Sequence, residues 1–126
     1  MIMHICSLPV ARLTAAVALL ALSACASVSR PPSLPVGHPA TFEGEVVSVN
    51  TDPWAYDGNA VVMVSTATGG TVSVQLPARW NLCKAQPLGD VQALKARDRV
   101  QVTGMVTAPG EVVVCGQAQD QLRRIE

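Results

Sequence analysis

The sequence predicts an all-β fold, a small five-stranded Greek-key barrel with one short helix between the third and fourth strands. Three observations predict it. Valine-rich segments alternate apolar and polar residues, as half-buried strands do. Gly-Gly and Pro-Gly pairs fall between such segments, where hairpins turn. One segment beginning at Asp90 breaks the alternation and carries helical spacing instead. The chain of 126 residues is 49% hydrophobic but only 3% aromatic and 14% charged, which suits an apolar leader joined to one small Val-rich domain.

The elements follow in order. In Phe42–Asn50 (FEGEVVSVN), Phe42, Gly44 and Val46 share one side and Glu43 and Glu45 the other. Ala60–Thr66 (AVVMVST) is a β-branched run, and Thr71–Leu76 (TVSVQL) alternates through Val72, Val74 and Leu76. Gly69-Gly70 joins these two strands, since both glycines can take positive φ, and Pro77 ends the third. Asp90 caps a short helix over Val91–Ala96, with Val91 and Leu94 on its buried side. Val100–Val106 resumes the strand pattern, with Val100, Val102 and Val106 facing one way. Pro109-Gly110 turns the chain into a fifth strand, Glu111–Cys115. The tail QDQLRRIE reads as a solvated edge whose Leu122 and Ile125 dock on the barrel.

Three strands, a short helix and two strands form the element order of the OB-fold. The stretch LKARDRVQVTGMV, residues 94–106, resembles the OB pattern of a leucine, a polar turn with Asp, then alternating valines and a glycine. Gly104 suits a strand that bends sharply. The stretch departs from the common pattern at Arg97, where glycine usually precedes the Asp. An open five-stranded sheet with one helix is the alternative.

The N-terminus carries a different kind of signal. Arg12 precedes an apolar run from Leu13 to Leu22 that is too short for a membrane span, which needs about 20 apolar residues, and reads as a secretory signal. Leu22-Ser23-Ala24-Cys25 resembles the bacterial lipoprotein box. That resemblance implies removal of residues 1–24, diacylglyceration of the Cys25 thiol and acylation of its new amino group, an anchor stable on a membrane. Ala26 in place of Asp implies the outer membrane. Residues 25–40 then form a tether with Pro31, Pro32, Pro35 and Pro39, able to hold a domain of residues 41–126 about 40 Å from the bilayer. His38 lies in that tether as solvated spacer. The chain as a whole resembles small proteobacterial outer-membrane lipoproteins with one periplasmic OB-type domain, a family whose activity is not established and which supplies no catalytic residues.

Cys6 leaves with the leader and Cys25 is acylated, so Cys83 and Cys115 are left to pair in an oxidising compartment. Two buried thiols or a metal pair are the rival readings, though no His or third Cys stands by to complete a metal site. No catalytic group, metal or cofactor is expected. No histidine lies outside the leader and tether, no Gly-x-Ser-x-Gly elbow occurs, and Asp52 and Asp57 read as turn formers rather than a calcium loop.

Binding is the more suggestive reading. Trp54, Tyr56 and Trp80 all lie outside the strands. Together with Asp57, Arg79 and Asn81 they define a candidate ligand surface on the first inter-strand loop and the segment after the third strand. The same rings could instead cap a barrel end. Nine basic and nine acidic residues give zero formal charge, and no basic run tracks a polyanion, so nucleic acid is disfavoured. The expectation is a non-catalytic module, anchored in the cell envelope by its lipid, that binds an envelope protein or a small periplasmic ligand. A structural accessory joined by sheet-edge pairing is the alternative, with inhibition of a lytic enzyme a minor third.

Overall fold

The structure, a computed structural model, describes residues 34–126; the leader, the Leu22–Cys25 box and the tether up to residue 33 lie outside the described residues. Six strands form one sheet: β1 (Pro39–Asn50), β2 (Ala60–Thr66), β3 (Thr71–Leu76), β4 (Arg99–Ala108), β5 (Glu111–Val113) and β6 (Gln121–Ile125). They run in the order β1-β2-β3-β5-β4, and β4 pairs back onto β1 to close a five-stranded barrel. β3 and β5 are parallel, and the other pairs are antiparallel. β6 extends the sheet along the first half of β4, from Arg99↔Ile125 to Thr103↔Gln121.

The alternation seen in sequence becomes the inside and outside of the barrel. Val62 and Val64 of β2, Val72, Val74 and Leu76 of β3, and Val100, Val102 and Val106 of β4 are fully buried, with Val112 and Val114 beside them. β1 crowds this interior most closely. A Cβ on Gly44 would overlap the Ser65 carbonyl and Val64 Cγ1, so only glycine lets β1 lie this near β2. A bulge follows between Val46 and Ser48. Val47 is pushed outward, 51% exposed, and Val49 turns back toward the core. The step from Val46 to Val49 is that bulge written in the sequence.

The helix expected over Val91–Ala96 is a single 3-10 turn, Val91–Ala93. Its start is as expected: the Asp90 carboxylate accepts from the Ala93 N–H at 3.2 Å, Val91 is buried, and Leu94 packs on the core. The turn stops there because the next residues serve β1. Arg97 N–H donates to the Val46 carbonyl and Val46 N–H to the Asp98 carbonyl, both at 2.8 Å. Asp98 Oδ2 meanwhile accepts from Lys95 N–H at 2.9 Å. A longer helix would carry Arg97 and Asp98 away from the bulge they brace.

This latch holds Arg97 at φ 78°, a left-handed conformation that favours glycine. Arg97→Gly is therefore expected to raise unfolding free energy by about 0.5–1 kcal/mol. A urea melt that moves the midpoint downward would refute the strain argument.

The two cysteines form a disulfide, Cys83–Cys115, across a sequence separation of 32 residues. Beside it, Lys84 and Ala85 N–H both donate to the Cys115 carbonyl, at 2.8 and 3.1 Å. Asp120 ties off the loop after β5: its buried Oδ2 accepts from Cys115 and Gln117 N–H at 3.3 and 3.1 Å. The tail, expected as an edge that merely docks, is hydrogen-bonded as β6. Leu122 is 2% exposed, and Ile125 is only partly covered.

Candidate functional site

The β1–β2 loop is built by its own residues before anything else touches it. Asn50 Oδ1 accepts from Asp52 N–H at 3.0 Å, an Asx turn that leads into the 3-10 turn Asp52–Tyr56 with Pro53 near its start. Gly58 N–H closes back on the Pro53 carbonyl at 2.9 Å. Asp57 takes φ 65°, which its short polar side chain tolerates better than most.

Two long-range contacts then hold the loop at the end of the barrel where β3 leaves. Trp54 Nε1 donates to the Leu76 carbonyl at 2.9 Å, and the ring packs against the core, as Trp80 does from the other segment. Arg79 grips Asp57 with two of its nitrogens, Nε to Oδ1 at 3.1 Å and a terminal nitrogen to Oδ2 at 2.7 Å. This fork is geometrically specific, but its side chains are 68% and 55% exposed, so it orients the loop more than it stabilises the fold.

The hydrogen bond from Arg79 lowers the Asp57 carboxyl below its ordinary value of 3.8 and, with the attraction of the guanidinium charge, outweighs the opposing desolvation. The same bond raises Arg79. A depressed carboxylate contributes above its ordinary pKa and ceases to contribute as pH falls through the lowered value. The clasp is therefore complete at neutral pH and opens only in strong acid.

The segment after β3 makes the opposite wall. Pro77 ends the strand, Trp80–Leu82 form a 3-10 turn, and Cys83 is pinned to Cys115 directly after it. Of the residues expected at this surface, Trp54, Asp57, Arg79 and Trp80 are drawn together around the end of β3. Tyr56 and Asn81 project from it, Tyr56 being 85% exposed. Leu82, 70% exposed, joins them unannounced. A lone leucine beside a tryptophan reads in sequence as core, and nothing local distinguishes it from a docked one.

His38 lies at the other end of β1, exposed, with its carbonyl accepting from Val106 N–H at 3.0 Å. The β4–β5 turn at Pro109-Gly110 is also at that far end, where Ser73 N–H donates to the Gly110 carbonyl. Between the two ends the outer face of β2 and β3 carries Val61, Met63, Ser73 and Gln75, all partly exposed.

Comparison with protein-family models, with curated proteins and with solved structures yields no match.

Proposed function

We propose that the chain is a non-catalytic, membrane-anchored periplasmic binding module, and that its ligand surface is the β1–β2 loop with the adjoining Arg79–Leu82 segment. The barrel is read as an OB-type domain, supported by the closing order β1-β2-β3-β5-β4 and the parallel β3–β5 pair. Lipid attachment at Cys25 and an outer-membrane address follow from the lipoprotein-box resemblance. One observation carries the binding reading: a tyrosine 85% exposed sits at the tip of a loop that is clasped from both sides. A rigid, amphipathic ring costs little entropy to bury against a partner.

The two loop aromatics divide the roles. Trp54 is a cap for the barrel, and Tyr56 is the anchor. Trp54→Ala is expected to cost about 2–4 kcal/mol, from lost packing and a lost hydrogen bond. Tyr56→Ala is expected to stay within about 0.5 kcal/mol of the parent and to lose the interaction. In-cell photo-crosslinking from position 56 of the full chain tests this. A discrete heavier band, absent when the photoreactive residue is moved to the exposed Ala118, supports a protein partner at this loop. A folded, membrane-bound chain that gives no band and no small-ligand protection of Tyr56 sinks the reading.

A further inference from the structure

We infer that the outer edge of β6 and the groove beside it take up an extended acidic peptide segment of a partner protein, added to the sheet as a further strand. This surface is separate from the Tyr56 loop and does not depend on it.

The direction of the β6 backbone follows from β4. Val106 N–H donates to the His38 carbonyl at 3.0 Å, the Val106 carbonyl accepts from Gly37 N–H at 2.8 Å, and the Asp98 carbonyl accepts from Val46 N–H at 2.8 Å. Residues of β4 in that phase thus aim their N–H and C=O groups at β1. Alternate residues of a strand point to opposite edges, so Arg99, Gln101 and Thr103 aim theirs at β6, opposite Ile125, Arg123 and Gln121. Leu122 and Arg124 are left aiming outward, and among the described residues no backbone group meets them there.

The same edge is occupied one step earlier. The Asp120 carbonyl accepts from Gln86 N–H at 2.9 Å, so the segment after the disulfide begins to pair on it. Pro87 then fixes the backbone, Gly89 takes φ 72°, and the chain swings away. From Pro87 to Leu94 it encloses a groove of about 360 Å³ against Leu122–Arg124. Leu88, Leu94 and Leu122 give the groove an apolar lining.

These features select the occupant. Unpaired N–H and C=O groups along a strand edge are met by another extended chain, whose alternate side chains would reach the leucines. The charged lining is Arg123 and Arg124 against a single Asp90. Arg123 donates to the uncharged Gln101 at 2.8 Å, while Arg124 reaches Asp98 only at 4.0 Å and stays 66% exposed. Arg123, on the face away from Leu122, can therefore donate to a carboxylate of a peptide that turns its apolar residues to the leucines. A second copy of this chain fits poorly, since two β6 edges run together would set arginine against arginine.

The test uses the full ¹⁵N-labelled chain in detergent micelles and a capped peptide of about ten residues alternating valine and glutamate. Amide exchange at Leu122 and Arg124 is expected to slow by at least about tenfold, with no such protection from a valine–lysine peptide and with Tyr56→Ala behaving as the parent. Arg124→Pro removes an N–H that donates to nothing within the barrel and is expected to abolish the protection at Leu122. Should that variant not fold, the same peptide N-methylated at alternate residues must lose its effect on the parent chain. The inference is overturned if the lysine peptide protects equally, if N-methylation changes nothing, or if no protection develops. Self-association of the chain that protects Leu122 and Arg124 without peptide would also overturn it, by making a second copy the occupant.

Discussion

Replacing Cys83 and Cys115 together by alanine is expected to destabilise the chain by roughly 3–4 kcal/mol, the chain-entropy value for a loop of this size. The bridge closes 32 residues that include all of β4, the strand on which the barrel closes. It also lies next to one of the thinnest seams of the sheet. β3 and β5 share only the pairs Ser73↔Glu111, Val74↔Val112 and Gln75↔Val113, extended by one bond at each end, from Ser73 N–H to the Gly110 carbonyl and from Val114 N–H to the Gln75 carbonyl. The backbone bonds from Lys84 and Ala85 to the Cys115 carbonyl persist without the bridge, but they must then be ordered from a freer unfolded chain. For a small domain a loss of this size corresponds to a fall in Tm on the order of 15–25 °C. Thermal melting of the parent, of the reduced parent and of the double variant measures it. A fall below about 5 °C in both would mean that the seam is held by its hydrogen bonds and valine packing alone.

The second large effect concerns Gly104. It sits on β4 opposite Ala40 of β1, at the point where the other edge of the strand passes from β6 to β5. A Cβ there would stand 2.6 Å from the Val113 carbonyl oxygen and 2.7 Å from Val112 Cγ1. Neither neighbour can yield: one is backbone within the β4–β5 pair, and the other belongs to a fully buried core valine. Room can be made only by opening the shortest strand of the barrel. Gly104→Ala is expected to cost about 2–3 kcal/mol, and Gly104→Val more. Gly116, whose Cβ would meet nothing within 4 Å, supplies the control, and Gly116→Ala is expected to stay within about 0.5 kcal/mol of the parent. Equal urea midpoints for the two alanine variants would show that β4 and β5 are not packed this closely.

How much was legible depended on how local each feature is. The spans of β2 and β3 stand in the sequence as the structure has them, because a β-branched run and a strict alternation, separated by Gly-Gly and ended by Pro77, leave little freedom at either end. The Asp90 cap was legible for the same reason, but not the length of the element it starts, since that is set by Arg97 and Asp98 reaching Val46 in a distant strand. β6 was hidden because Gln121–Ile125 is too polar to read as a strand. It becomes one by meeting the half of the β4 edge that the short β5 leaves open.

At the candidate site, Asp57, Arg79 and the three loop aromatics could be named from the chain, while their division of labour could not. Trp54 and Tyr56 lie two residues apart in one turn, yet one indole reaches the Leu76 carbonyl and the other ring faces water.

The sequence by itself thus determined an all-β chain, its hairpin signals, the residues of its valine interior and the cysteines available for a bridge. Each is a matter of period, turn chemistry or count among near neighbours. The tertiary structure alone decided that β3 lies parallel to β5, that β4 closes on β1, that an arginine takes a left-handed turn, and which aromatic ring stays outside. Those outcomes are settled by which backbone edges and carbonyls, far apart along the chain, come within hydrogen-bonding distance of one another.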